Sequence, residues 1–415
     1  MYKQTLVADI IAAMLIVVLV SEAFAVPPAK EVETINGWLL VNGQPFLPIG
    51  LYHAAHYHKG LKEASEKGFN AVQVYGSTPK ALKEDLDNAY ANGLYGLVAL
   101  NGLCEDLDRL EKLVLGNRDH PGLLVWSLED EPNFRVPEPK ETPYADRAYR
   151  LSPEKLKEAY DLIKKRDPKH PVWVNLAHGF SKDHQDYKSV ADIMSADIYP
   201  VPGNTLSPVA SYAEVTVKGC AGKPAWLALQ MSPVRPQLKE KDRYPTIAEV
   251  RCMTFMSIAH GTTGVLYYAF NEHGKAAAAG WPYSNWRTST TAPAYWAQWA
   301  DLTAELKTLT PLILSPQVKD KVNVKILKGP SGKDGWGWAP LHLSLRRGEN
   351  SYFLIAVNGA NTSIEAKVTL PAGIKNIATN AAVRFENRLL ELKNNSLLDS
   401  YEPHAVHLYE IPMIH

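Results

Sequence analysis

The chain has 415 residues, of which 46% are hydrophobic and 21% are charged, a composition typical of a globular protein. Its 44 Lys and Arg residues balance its 44 Asp and Glu residues, so the formal net charge is zero. This balance gives no electrostatic reason to expect nucleic acid or an anionic membrane surface as a partner.

The N-terminus has the features of an export signal. Lys3 precedes the apolar run Ile10–Val20, and Ala23-Phe24-Ala25 then offers a small-x-small cleavage site. The run is shorter than the roughly 20 residues that a membrane-spanning helix needs. We therefore expect residues 1–25 to be a cleaved signal peptide of a secreted or periplasmic protein that does not insert stably into the membrane. A retained N-terminal anchor is the alternative.

We expect residues 26–313 to form one domain. From about residue 36 to residue 313, short apolar segments alternate with amphipathic segments of helical length, which is typical of a parallel α/β architecture. Trp38–Phe46 predicts a hairpin with Asn42-Gly43 as its turn, lying under or beside the main sheet. Eight strands are then predicted, at Phe46–Leu51, Ala71–Tyr75, Gly96–Leu100, Leu123–Leu128, Val172–Leu176, Ile193–Ile198, Ala225–Gln230 and Gly264–Tyr268. Eight strands separated by helices predict a (β/α)8 TIM barrel.

Several of the intervening helices have clear start signals. Thr78-Pro79 and Ser152-Pro153 each place a capping residue before a proline at the first helical position. Thr246–Glu249 is typical of a capping box, which predicts a structural role for Glu249. The last helix of the barrel is expected at Pro293–Leu309.

Residues 314–415 have a different pattern, with β-rich segments separated by Gly, Asn and Pro. Strands are predicted at Val322–Leu327, Leu341–Leu345, Tyr352–Val357, Ile364–Thr369, Ala382–Phe385 and Ala405–Glu410. This pattern predicts a small antiparallel β-sandwich that packs on the side of the barrel. We expect its last strand within Asp399–Tyr409.

Cofactor motifs are not apparent in the sequence. The three cysteines, Cys104, Cys220 and Cys252, have no zinc-binding spacing, and Cys104 and Cys252 fall on predicted helices. Neither a P-loop nor a strand–GxGxxG–helix pattern occurs. Three histidines follow the first barrel strand, but no carboxylate completes a metal motif with them. We therefore expect neither a metal nor another cofactor.

The most informative motif follows the predicted fourth barrel strand, where Leu123–Leu128 leads into Glu129-Asp130-Glu131-Pro132. In (β/α)8 barrels the chemistry lies at the C-terminal ends of the strands. Alternation along the strand places Glu129 and Glu131 on one face and Asp130 on the other.

Asp130-Glu131-Pro132 resembles the Asn-Glu-Pro signature of the TIM-barrel glycoside hydrolases of clan A. The resemblance implies that Glu131 is the general acid/base and that Asp130, in place of the usual Asn, contacts the sugar 2-hydroxyl. An ionised Asp can accept that hydrogen bond but cannot donate one.

The resemblance is interrupted at strand seven, where the family has a nucleophilic Glu and this chain has Gln230. Asp197, in a Ser195–Pro200 segment after strand six, and Glu272, after strand eight, are the alternative second carboxylates. An inverting mechanism with a more distant base is another possibility. Loss of hydrolysis, leaving a protein that only binds glycans, is a third, and a lyase or transglycosylase reaction is a further alternative.

Aromatic and imidazole side chains near the predicted strand ends are typical of a sugar-binding site, because flat rings suit the apolar faces of sugar rings. The residues expected to contact a carbohydrate, with Asp130, are His53, Tyr75, His178, Tyr199, Gln230, Trp281 and Trp286. We therefore expect a glycoside hydrolase acting on a poly- or oligosaccharide, with a non-catalytic carbohydrate-binding protein as the alternative.

Overall fold

The computed structural model describes residues 26–57, 59–137, 142–177, 179–234, 243–270 and 292–414. The predicted signal peptide, residues 1–25, lies outside these ranges. Within them, no helix is both long enough and apolar enough to cross a membrane.

Eight parallel strands form a closed barrel, as predicted. Three short antiparallel strands precede it: β1 (Val32–Ile35), β2 (Trp38–Val41) and β3 (Gln44–Phe46). The barrel strands are β4 (Ile49–Leu51), β5 (Ala71–Val74), β6 (Tyr95–Ala99), β7 (Leu123–Asp130), β8 (Val172–Leu176), β9 (Ile193–Ile198), β10 (Ala225–Gln230) and β11 (Gly264–Tyr268). Almost all of their residues are buried, because side chains face either the barrel interior or the surrounding helices.

The described helices cover the outside of the barrel. They are α1 (Gly60–Glu66), α2 (Pro79–Ala91), α3 (Leu107–Asn117), α4 (Pro153–Arg166), α5 (Ser181–Tyr187), α6 (Pro208–Gly219), α7 (Ile247–Ala259), α8 (Ala292–Ala297) and α9 (Trp299–Ile313). Thr78, Ser152 and Thr246 cap α2, α4 and α7 through their hydroxyl groups. The single helix expected at Pro293–Leu309 is two helices, α8 and α9, that meet at Gln298.

The N-terminal strands form the predicted hairpin and close the bottom of the barrel. Asn42 and Gly43 both have positive φ, 52° and 75°, which is the conformation that a two-residue hairpin turn needs. Leu39 and Val41 pack against residues at the N-terminal ends of the barrel strands, including Ala71 and Tyr95. The opposite, C-terminal end of the barrel is therefore the end at which a functional site can form.

The C-terminal region consists of two antiparallel sheets. One contains β12 (Asn323–Lys328), β15 (Ile364–Thr369) and β18 (Ser396–Tyr401); the other contains β13 (Leu341–Arg347), β14 (Ser351–Asn358), β16 (Asn380–Val383), β17 (Arg388–Glu391) and β19 (Val406–Pro412). The predicted sandwich is confirmed, and β17 and β18 are additional strands. The expectation of one strand within Asp399–Tyr409 is wrong, because a turn at residues 402–405 separates β18 from β19.

The sandwich packs on the side of the barrel against α7. Arg251 on α7 donates to the carbonyl oxygen of Val406 at 2.8 Å, and Arg346 on β13 donates to that of Ile258 at 2.9 Å. His260 and His342 hydrogen-bond across the same interface at 2.9 Å. Cys252 lies on α7 as predicted, whereas Cys104 lies in a 3-10 turn rather than an α-helix, because Asp106 caps α3 only after it. All three cysteines are buried and unbridged.

Candidate active site

Strand β7 carries Glu131 to the C-terminal mouth of the barrel. The pairing of β7 with β8 is irregular between Ser127 and Glu129, and Glu131 has a left-handed backbone with φ 51°. This conformation is uncommon for a residue with a side chain and costs roughly 1–2 kcal/mol. The irregularity and the left-handed residue break the alternation of the strand. The expectation that Asp130 faces away from the group around Glu131 is therefore wrong.

Asp130, Glu131 and Asp197 form a compact group at the ends of β7 and β9, which we name the carboxyl cluster. The Glu131 and Asp197 carboxyl groups hydrogen-bond to each other. Asn175, on the intervening strand β8, donates to Asp130 Oδ1 at 2.8 Å and also to Asp197 Oδ1. The hydroxyl group of Tyr199 donates to Asp197 Oδ2 at 3.0 Å.

Burial and mutual repulsion raise the pKa values of all three carboxyl groups. Burial and the charge of Asp197 raise the pKa of Asp130 to about 7, and burial and the charge of Asp130 raise the pKa of Glu131 to about 7. Burial and the neighbouring Glu131 raise the pKa of Asp197 well above its usual range. The carboxyl cluster therefore retains protons close to neutral pH, whereas ordinary carboxyl groups are fully ionised there.

Glu129 has structural contacts instead. Its Oε2 accepts a hydrogen bond from the backbone of Gly102 at 2.9 Å, and its Oε1 pairs with Arg150 at 3.2 Å. Arg150 also donates to the carbonyl oxygen of Asp130 at 2.6 Å. These contacts make Glu129 a buried, paired residue and place a guanidinium group beside the carboxyl cluster.

Gln230, at the end of β10, is fully buried and its side-chain amide binds backbone. It accepts from the amide nitrogen of Val201 at 2.8 Å and donates to the carbonyl oxygens of Val201 at 2.8 Å and of Ser232 at 3.3 Å. These bonds join the loops that follow β9 and β10. This geometry does not favour the expected contact between Gln230 and a sugar, because both polar atoms of its side chain already bind backbone groups.

Aromatic rings surround the carboxyl cluster. Tyr268, at the end of β11, has its ring centroid 5.1 Å from that of His53 and 5.5 Å from that of Tyr199. The His53 centroid lies 6.2 Å from that of Tyr75, whose ring stacks on His56 at 4.1 Å. Burial and His56 lower the pKa of His53 to about 4, so its imidazole is neutral at physiological pH. The rings and the neutral imidazole offer apolar faces and hydrogen-bonding edges to a ligand.

The structure brings together six of the predicted residues, which are Asp130, Glu131, Asp197, His53, Tyr75 and Tyr199. The predicted residues His178, Glu272, Trp281 and Trp286 lie outside the described residues. In the ranges that the structure does describe, no group of three or more His, Cys, Asp or Glu residues could hold a metal ion.

Sequence reasoning missed Asn175, Arg150 and Tyr268. Asn175 could have been noticed as an amide within the otherwise apolar strand segment Val172–Leu176. Tyr268 ends a predicted strand, as Tyr75 does. Nothing in the sequence connects Arg150 to Glu129, because the pair forms through a loop that returns after 21 residues.

The sequence matches known proteins over part of its length. The family model Glyco_hydro_42, described as Beta-galactosidase, matches residues 151–308, a region that includes Asp197 and Gln230 but not Glu131. A beta-galactosidase of Klebsiella pneumoniae (strain 342) is 31% identical over 133 residues, covering 25% of this chain and 12% of that protein. A second one, from Klebsiella pneumoniae, is 29% identical over the same share. The match thus spans about an eighth of the length of these curated relatives.

Solved structures with the same fold match nearly the whole chain. A structure titled "Glycoside hydrolase" superimposes with a TM-score of 0.61 at 12% identity, covering 94% of this chain and 98% of that one. The structure of AmyP in complex with maltose superimposes with a TM-score of 0.52 at 8% identity, covering 85% and 89%. The resemblance to TIM-barrel glycoside hydrolases is confirmed. The family match supports a glycosidase, and the structural matches show the shared fold.

Proposed function

We propose that the protein is a glycoside hydrolase in which Glu131 is the general acid and Asp197 is its carboxyl partner. The observation that carries this proposal is the direct hydrogen bond between the two carboxyl groups at the mouth of the barrel. Two carboxyl groups that share one proton supply an acid and a base side by side near neutral pH. Cleavage of a glycosidic bond usually needs two carboxyl groups that flank the bond, one as an acid and the other as a nucleophile or base.

The proton of Glu131 would pass to the glycosidic oxygen as the bond to the anomeric carbon breaks. The second carboxylate would then attack that carbon or remove a proton from the attacking water. Carboxyl groups in hydrogen-bond contact are closer than the about 5–5.5 Å that is typical of retaining enzymes. A bound substrate would therefore replace the hydrogen bond between Glu131 and Asp197. Glu272 remains the alternative partner on the sequence reasoning alone.

The substrate class that we propose first is a β-galactoside, on the strength of the matched family's description and the beta-galactosidase relatives. The rings of Tyr75, Tyr199 and Tyr268 would pack against the sugar, and His53 would hydrogen-bond a hydroxyl group. We also propose that the protein is exported, on the N-terminal sequence pattern.

A second candidate function is glycan binding without cleavage. Gln230 supports it, because the position that holds a nucleophilic Glu in the resembling family holds an amide that binds backbone. In that case the carboxyl cluster would hydrogen-bond sugar hydroxyl groups and would not transfer a proton.

Sugar release from aryl glycosides, including an aryl β-galactoside, and from oligo- and polysaccharides tests the proposal. Wild type should release sugar, and Asp197→Asn should lower the rate at least tenfold while Asp320→Asn, at an exposed loop position, should not. Glycan binding without release by wild type would favour the second candidate function. Release that Asp197→Asn leaves unchanged would exclude Asp197 as the partner of Glu131.

A further inference from the structure

Beneath the carboxyl cluster, a chain of buried hydrogen bonds runs from β8 to β9 and has a fixed direction. The indole Nε1 of Trp173 can only donate, and it donates to Ser195 Oγ at 2.8 Å. The hydroxyl group of Ser195 donates in turn to Asn175 Oδ1. All three side chains are fully buried.

The direction of the chain fixes the orientation of the Asn175 amide. Because Oδ1 receives the Ser195 hydroxyl hydrogen, Nδ2 must face the opposite way. Its two hydrogens then go to Asp130 Oδ1 and Asp197 Oδ1. A rotated amide would place its oxygen against two carboxyl oxygens and its NH2 group against the Ser195 hydroxyl, which breaks the chain.

We propose that Asn175 is a positioning residue for the proposed reaction, held by Trp173 and Ser195 so that its amide donates to both Asp130 and Asp197 and favours their ionised forms. This inference rests on the proposed function. Hydrogen bonds donated to a carboxylate stabilise its charged form, and Asp197 receives them from both Asn175 and Tyr199.

The hydrogen bonds from Asn175 act against burial, which raises the pKa of both Asp130 and Asp197. Loss of the Asn175 donor therefore raises both pKa values further. The pKa values of Asp130 and Asp197 should also rise when the Asn175 amide is free to rotate. Ser195→Ala should thus act on Asp197 in the same direction as Asn175→Ala, although Ser195 does not touch Asp197.

A 13C NMR titration of the full chain, labelled at the aspartate carboxyl carbon, tests this inference without requiring any hydrolysis. Asn175→Ala and Ser195→Ala should each raise the midpoint of a carboxyl cluster resonance by about one pH unit. Ser195→Thr, which keeps the hydroxyl group, should restore the wild-type midpoint. If the Ala variants do not fold, Trp173→Phe replaces them in the test, because it removes only the indole N–H that donates to Ser195.

Wild-type midpoints in Asn175→Ala, or in Ser195→Ala and Trp173→Phe together, would overturn the inference. On a glycoside that wild type hydrolyses, Ser195→Ala should lower kcat at least tenfold with little change in KM. A purely structural role of Ser195 would instead lower only the amount of folded protein. If the wild type cleaves no glycoside, the proposed function fails while the NMR midpoints still decide whether Asn175 acts as described.

Discussion

Glu131 and Asp197 hydrogen-bond through their carboxyl groups although Glu131 follows β7 and Asp197 lies in β9, two strands that are separated by β8. Glu131 turns out of the strand with a left-handed backbone, while Asn175 on β8 donates to Asp130 on one side and to Asp197 on the other. Two carboxyl groups in contact cannot both be ionised without strong repulsion, so the pair holds a proton. The proposed acid chemistry depends on that proton.

Asp130→Asn should stabilise the folded protein at high pH. The folded-state pKa of Asp130, about 7, is above its unfolded value near 3.8, so the folded state keeps a proton that the unfolded state releases. The free energy of unfolding therefore falls as the pH rises from about 4 to about 7 and stays lower above that. Asp130→Asn removes this loss and should raise the free energy of unfolding at pH 8 by roughly 1–3 kcal/mol.

Urea denaturation at pH 4 and pH 8 measures the effect of Asp130→Asn. The gain in the free energy of unfolding should be present at pH 8 and nearly absent at pH 4. The control Asp320→Asn should show no gain at either pH. A variant that is less stable than wild type at pH 8 would mean that Asp130 is ionised without penalty in the folded protein.

Gln230→Glu should destabilise the protein and should not improve hydrolysis. The carbonyl oxygens of Val201 and Ser232, which now accept from the Gln230 amide, would face a carboxylate in a buried position. We expect a loss of roughly 2–4 kcal/mol in the free energy of unfolding, measured by urea denaturation. Gln298→Glu, on an exposed surface, is the matched control. A fully stable and more active Gln230→Glu enzyme would show that this position can still hold the nucleophile of the resembling family.

Arg135→Met should destabilise the loop that follows Glu131. The guanidinium group of Arg135 forms an ion pair with Asp183, and both side chains are almost completely buried. The same group donates to the carbonyl oxygen of Asn133 at 2.9 Å. Removing it leaves a buried carboxylate without its cation, which costs roughly 3–5 kcal/mol.

The control for Arg135→Met is Lys157→Met, which breaks an exposed ion pair with Asp161. We expect that control to change the free energy of unfolding by less than about 1 kcal/mol. Thermal or urea denaturation of the two variants should separate them clearly. Equal small losses would show that the Arg135–Asp183 pair contributes no more than a surface ion pair.

The barrel could be predicted from the sequence because strands buried on both faces are continuous apolar runs. Ile193–Ile198 and Ala225–Gln230 have the predicted bounds. Arg388–Glu391 was missed because a four-residue, half-exposed edge strand has no such run. Glu131 could be found from its motif. The position of Asp130 could not, since the irregular pairing after Ser127 and the left-handed backbone of Glu131 break the alternation from which its side would be predicted.

The proposed hydrolysis depends most on Glu131, and a comparison of three proteins tests its role most directly. Initial rates of sugar release should be measured for wild type, Glu131→Gln and Glu105→Gln, an exposed control at the same end of the barrel. We predict a rate for Glu131→Gln about 10²–10⁴-fold below wild type, with thermal stability no lower than that of wild type, and a wild-type rate for Glu105→Gln. A Glu131→Gln variant that releases sugar at the wild-type rate would contradict the assignment of Glu131 as the general acid.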